Sequence, residues 1–373
     1  MRALVDPHLR DLVPYIPGKP IEETEREFGV THIAKLASNE NCLGPSPLAV
    51  EAMRKDLASA HLYPDAGAFY LKDAICRHHA RHGVRPEHVV VGNGTNEILT
   101  LLVRAFVGEG EAILNAWPSF VIYRLAARGA GRDEVAVPLT SSYDYDFDGM
   151  ADALAREKDR VKLVFLANPN NPTGRAFDDR ALTGFLARVP DDVIVVIDEA
   201  YVEYVRLAGY PDGMKLALER PRTIVTRTFS KAFGLAALRI GYAVGDVSMI
   251  EVLNRLRDPF NTSSVAQAAA IAALGDTAHV ERTVAHNTRE IVRLTDGLSA
   301  RGFTVTPSDA NFVLAHLPEH APDVAALDRA LLSRAVIVRP LQGYGLPRSV
   351  RITVGTENEN ARLLKALDDV LKG

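Results

Sequence analysis

The chain has 373 residues, more than one hydrophobic core usually organises, so a large domain with a smaller companion is the expected layout. Its 43 Lys and Arg against 47 Asp and Glu leave a formal net charge of -4, which gives no basic field for nucleic acid, and 47% apolar residues is an ordinary globular value. Two cysteines, Cys42 and Cys76, offer neither metal-ligand spacing nor a disulfide framework, as suits a reducing compartment.

Residues 1–15 interleave Arg2, Asp6, His8, Arg10 and Asp11 with apolar residues and so lack the apolar core of a secretion signal. The most apolar runs, 89–91 and 193–197, have strand length rather than bilayer length. A soluble, cytoplasmic protein with no membrane partner is expected. Residues 1–45, rich in Pro and polar residues and ending near Ser38-Asn39-Glu40-Asn41 and Gly44-Pro45, read as an irregular arm belonging to the smaller domain. Through 46–260, apolar runs at 88–92, 111–115, 162–166, 193–198 and 223–226 alternate with helical periods such as 96–106 and 178–188. That alternation predicts an α/β domain around a mostly parallel sheet. Residues 261–373 change rhythm to a long helical segment followed by short strands at 303–306, 312–314, 336–338 and 350–354, which predicts a smaller α+β domain.

The chemistry-bearing residues fall where those strands end. Lys231 lies among small and apolar neighbours in Thr228-Phe229-Ser230-Lys231-Ala232-Phe233-Gly234. Loss of solvation there lowers an amine's pKa and favours its neutral, nucleophilic form, suited to Schiff-base chemistry. Arg227, Arg239, Thr228 and Ser230 beside it suit an anion such as phosphate. Asp198 closes the apolar run 193–197, at the strand end where parallel sheets bind ligands, although a helix cap or turn carboxylate explains it equally well. Asn168 opens the Pro-rich loop Asn168-Pro169-Asn170-Asn171-Pro172-Thr173-Gly174, where composition alone favours a simple turn. Gly92-Asn93-Gly94-Thr95-Asn96 leads into a helix whose free N–H groups suit a phosphate, but it lacks the third glycine of a dinucleotide fingerprint.

Taken in this order, these motifs resemble the fold-type-I aminotransferases over nearly the whole chain. The resemblance implies pyridoxal 5'-phosphate as cofactor and Lys231 as the residue that carries it. It further implies Asp198 at the pyridine nitrogen, Asn168 and Tyr201 at the ring hydroxyl, and Phe120 of Trp117-Pro118-Ser119-Phe120 against the ring face. Gly94, Thr95, Asn96, Thr228, Ser230 and Arg239 are implied at the phosphate, with Tyr63 reaching the phosphate of the neighbouring subunit of a homodimer.

At the two ends of the chain, Tyr15-Ile16-Pro17-Gly18, the segment through Asn41, Val338-Arg339-Pro340-Leu341 and Arg351-Ile352-Thr353-Val354-Gly355 are similar to histidinol-phosphate aminotransferases. That similarity implies histidinol phosphate and glutamate or 2-oxoglutarate as substrates, held by Tyr15, Asn41, Arg339 and Arg351. An aromatic amino-acid aminotransferase or an amino-acid-phosphate decarboxylase on the same scaffold are the alternatives. A cofactor-sensing transcription regulator would need an added DNA-binding module.

Overall fold

A computed structural model describes residues 4–10, 12, 14 and 18–371. Tyr15, expected at the substrate, lies outside these residues. In chain order the elements that matter for the site are α1 (Ile21–Phe28), β1 (Ala34–Lys35), α2 (Pro47–Asp56), α3 (Phe69–His78), β2 (Val89–Gly92) and α4 (Gly94–Phe106). They continue with β3 (Ala112–Trp117), β4 (Asp133–Pro138), β5 (Val161–Ala167), β6 (Ile194–Asp198), β7 (Thr223–Thr228) and β8 (Gly241–Gly245).

Among the described residues, seven strands form one sheet in the order β2-β8-β7-β6-β5-β3-β4, parallel except where β8 runs against β2 and β7. The central strands β5 and β6 are nearly continuous apolar runs because helices cover both faces, whereas the edge strand β4 is polar and only partly buried. In β6 the period of two sends Val195 and Ile197 into one core and Ile194 and Val196 into the other. Leu99 and Leu102 of α4 complete the second core, while α2, α3 and the helix Ser264–Gly275 cover the first.

The C-terminal part is built on β9 (Thr304–Thr306), β10 (Phe312–His316), β12 (Arg339–Pro340) and β13 (Ser349–Thr353), an antiparallel sheet ordered β12-β13-β10-β9. Beside it, β11 (Val336–Ile337) pairs in parallel with β1, which ties the N-terminal segment to this part of the molecule. Ile291, Leu294 and Leu298 of the helix Thr277–Ser299 and Leu363 and Leu367 of the helix Glu357–Leu371 fill its core.

Three expectations need correcting. The N-terminal arm is not irregular throughout, since α1 lies within it. The expected long helix after 265 is two helices, broken at Gly275, after which the Asp276 carboxylate caps the second by accepting from the His279 N–H. The first of the two, placed by sequence in the C-terminal part, buries Ala266, Ala269, Ala270 and Ala273 in the large-sheet core. The strands β4 and β8 were not among the expected ones.

Candidate active site

Because most strands of the large sheet run the same way, their carboxyl ends meet on one side. There, Thr95 and Asn96 after β2, Phe120 after β3, Asn171 after β5, Asp198 at the end of β6 and Tyr201 just beyond it, Thr228 at the end of β7 and Ser230 and Lys231 just beyond it line a single cavity of about 180 Å³. Arg239 stands at its edge, and Ser38, Asn39 and Arg351 reach it from the N-terminal segment and β13.

Asp198 is buried with both oxygens accepting hydrogen bonds, Oδ2 from the Tyr123 hydroxyl at 2.8 Å and Oδ1 from the Thr226 hydroxyl at 3.0 Å. Burial pushes its carboxyl above the usual range, and these two donors pull in the opposite direction. Lys231 Nζ donates to the Ser38 carbonyl at 3.3 Å. Burial, reinforced by the nearby Arg351 charge, brings this amine down to about 7, so neutral and protonated forms coexist near neutral pH. The Tyr201 hydroxyl is pushed up to about 12 by burial, against the opposing pull of Arg351 and Asn39, and stays protonated.

The other end of the cavity is built for an anion. Gly94 opens α4 at φ +70°, a backbone that side-chain-bearing residues rarely adopt, and a Cβ there would meet the Arg239 guanidinium, which comes this close to the helix terminus because the residue is glycine. Arg239 Nη1 donates to Ser230 Oγ at 3.3 Å, and Thr228 Oγ1 accepts the Ser230 N–H at 3.1 Å. These hydroxyls and the guanidinium stand with the first-turn N–H groups of α4, at the positive end of its dipole.

The structure moves several expected residues. Asn168 is buried below the cavity, its amide exchanging hydrogen bonds with the Phe177 backbone at 3.1 and 3.0 Å, so it is a loop brace. Asn171, three residues on, faces the cavity instead and accepts from Arg351 Nη1 at 2.6 Å. Asn41 donates to the Ala232 carbonyl at 2.9 Å and to the Thr283 hydroxyl at 3.1 Å, bracing the loop that carries Lys231, and it is Asn39 that lines the cavity. Arg351 is 5% exposed, and its Nε has no hydrogen-bond partner among the described residues. Arg339 stands directly opposite Arg351 in the β12–β13 pair but lines a neighbouring cavity of about 960 Å³, with Trp117, Arg124 and Tyr344. Tyr63 is 83% exposed and stacks on Phe260 at 4.6 Å, away from the cavity of its own chain. Tyr123, Thr226, Asn39 and Asn171 were missed from sequence. Only Asn171 carried a local signal, its place directly before Pro172-Thr173-Gly174.

The model of the family aminotransferase class I and II matches residues 31–367, and the chain belongs to that family of pyridoxal-phosphate enzymes. Within it, the chain is 52% identical over 368 residues to the histidinol-phosphate aminotransferase of Anaeromyxobacter sp. (strain Fw109-5), covering 99% of each. It is 45% identical to histidinol-phosphate aminotransferase 2 of Methylococcus capsulatus, covering 99% of this chain and 98% of that one. The crystal structure of the histidinol-phosphate aminotransferase from Sinorhizobium meliloti in complex with pyridoxal-5'-phosphate superimposes with a TM-score of 0.87 at 28% identity, over 99% of this chain and 98% of that one.

The residues fit the family's cofactor. A sealed carboxylate suits a protonated ring nitrogen, an amine of lowered pKa suits an aldehyde, and the Gly94–Arg239 corner, where a Cβ would collide, suits a phosphate.

Behind the cavity, Glu199 receives Arg227 Nε and Nη2 on one oxygen at 2.9 and 2.8 Å, while its Oε1 and Glu203 Oε2 are buried without hydrogen-bond partners among the described residues. Arg227 pairs with Glu199 and acts on Glu203 through its charge. Burial, only partly offset by Arg227, pushes Glu203 from 4.5 up to about 7. A folded-state pKa above the unfolded one means that this group's stabilising contribution is complete below 4.5 and is lost as pH rises through about 7. Thermal unfolding between about pH 5 and 8 should therefore show the wild type losing stability relative to Glu203→Gln as pH rises; parallel profiles would contradict the assignment.

Proposed function

We propose that the protein transaminates L-histidinol phosphate with 2-oxoglutarate, giving imidazole-acetol phosphate and L-glutamate, as a step of histidine biosynthesis. The observation that carries this reading is the Arg351 guanidinium, buried beside Lys231 with an unsatisfied Nε, in a chain 52% identical to a histidinol-phosphate aminotransferase. A planar, permanently charged fork accepts either a carboxylate or a phosphate, as two chemically different substrates in successive half-reactions require. Arg339, its cross-strand partner, adds a second guanidinium on the side of the larger cavity.

In this reading Asp198 holds the pyridine nitrogen of the cofactor, Tyr201 its ring hydroxyl and Phe120 its face. Gly94, Thr95, Asn96, Thr228, Ser230 and Arg239 hold the phosphate. Bound pyridoxal phosphate supplies an electron sink that makes the proton on the substrate's nitrogen-bearing carbon removable. Lys231, poised near neutral pKa, takes that proton and returns one as general base and acid. Asn171 fixes the Arg351 fork through its Oδ1, so that the substrate anion is oriented rather than merely attracted.

The protein acts as a cytoplasmic homodimer, a reading supported by free Cys42 and Cys76 and by exposed Leu57, Leu62, Tyr63, Phe69, Tyr70 and Phe260. Tyr63 is then available to the phosphate in the neighbouring subunit.

Purified protein should absorb in the visible range, and borohydride should fix the chromophore to Lys231 as read by peptide mass. Lys231→Ala should bind cofactor without turnover; a protein that gains no absorbance with added pyridoxal phosphate would end this reading. Single-turnover rates should show Arg351→Ala slowing both half-reactions, whereas Arg339→Ala slows that of histidinol phosphate more than that of glutamate, by about 10- to 100-fold. Equal losses for Arg339→Ala would remove its phosphate-selective role.

A further inference from the structure

The hydrogen bonds around Asn39 have a direction that the positions of their heavy atoms determine. The Asn39 backbone N–H donates to Thr353 Oγ1 at 2.9 Å, and Thr353 Oγ1 lies 3.1 Å from Asn39 Oδ1, with both residues buried. A hydroxyl that already accepts from a backbone N–H has its own proton to place. Placing it on Asn39 Oδ1 satisfies every group, whereas turning the amide over would leave the Thr353 proton buried without an acceptor. The amide is thereby fixed with Nδ2 toward Tyr201, to whose hydroxyl oxygen it donates at 3.0 Å. An oxygen that accepts from Nδ2 directs its own proton elsewhere.

We propose that Asn39 is a positioning residue that, oriented by Thr353, commits the Tyr201 hydroxyl to donate its proton into the cavity, toward the ring oxygen of the cofactor. The relay starts on β13, passes through the N-terminal segment and ends after β6, so both parts of the fold contribute to the polarity of one hydroxyl. Tyr201 keeps that proton at working pH, because its hydroxyl is pushed up to about 12. Asn39 holds this pose at φ 55°, a left-handed backbone that asparagine tolerates better than most side chains. The proposal rests on the reading of Tyr201 as the partner of the ring hydroxyl.

Asn39→Asp tests it with little change of shape. A carboxylate only accepts, so it would draw the Tyr201 proton toward itself and away from the cavity. The readout is the affinity of the cofactor-stripped protein for pyridoxal phosphate relative to an analogue lacking the ring hydroxyl, measured by equilibrium dialysis. The added charge acts on both ligands, and the ratio isolates the hydroxyl. We expect the preference for pyridoxal phosphate to fall about 10-fold in Asn39→Asp and in Tyr201→Phe, the scale of one lost hydrogen bond. If Tyr201→Phe lowers the preference and Asn39→Asp does not, the proposal is overturned. If Tyr201→Phe leaves it unchanged, the reading of Tyr201 fails and the proposal with it. Should Asn39→Asp not fold, Thr353→Val should lower the preference while Thr353→Ser keeps it; equal preferences in those two would also overturn the proposal.

Discussion

At the end of β6, the Asp198 carboxylate sits out of water with one oxygen held by Tyr123 and the other by Thr226. An unpaired buried carboxylate would be too costly to keep ionised, so its donors must be fixed by the packing around it. Tyr123 is fixed by a parallel stack on Phe165 of β5 at 4.5 Å, and Thr226 by its register beside Asp198 in the β6–β7 pair. The sheet therefore does more than present side chains at a common edge. It holds the donors that offset the burial of this carboxyl, and the same exclusion of water lowers the Lys231 amine to a pKa of about 7.

Neither part of the fold completes the cavity alone. Most of the lining groups, Asp198 and Lys231 among them, lie at the ends of the large-sheet strands, whereas Arg351 comes from β13, and Ser38 and Asn39 come from a segment that the β1–β11 pair fastens to the C-terminal part. Arg351 Nη2 donates to the Ala37 carbonyl at 2.6 Å, so the arginine expected to bind substrate also anchors the segment whose Ser38 carbonyl accepts from Lys231. A displacement of β13 would reach the lysine through only those few bonds.

The sheet was legible because strands buried on both faces have few ways to look other than continuously apolar, as 193–197 does. β8 escaped because its sequence, Gly241-Tyr242-Ala243-Val244-Gly245, has glycine at both ends. Gly241 is there for packing, since a Cβ would come within 3.0 Å of the Thr95 backbone nitrogen. The helix Ser264–Gly275 was assigned to the wrong core because its apolar residues do not say which surface they will meet. In the site, the residues at strand ends were readable, because topology gathers them. Asn168 and Asn171 could not be separated by composition, since loop geometry alone decides which amide turns inward. Tyr123, Thr226 and Asn39 act through other side chains, and such pairings appear only when the chain is folded.

The measurement that bears most directly on the account compares the rates at which the purified protein transaminates histidinol phosphate, phenylalanine and tyrosine with 2-oxoglutarate under one set of conditions. Two guanidinium groups, Arg351 in the cavity beside Lys231 and its cross-strand neighbour Arg339 in the adjoining larger cavity, predict histidinol phosphate as the clearly preferred amino donor. Equal or faster turnover of phenylalanine or tyrosine would contradict it.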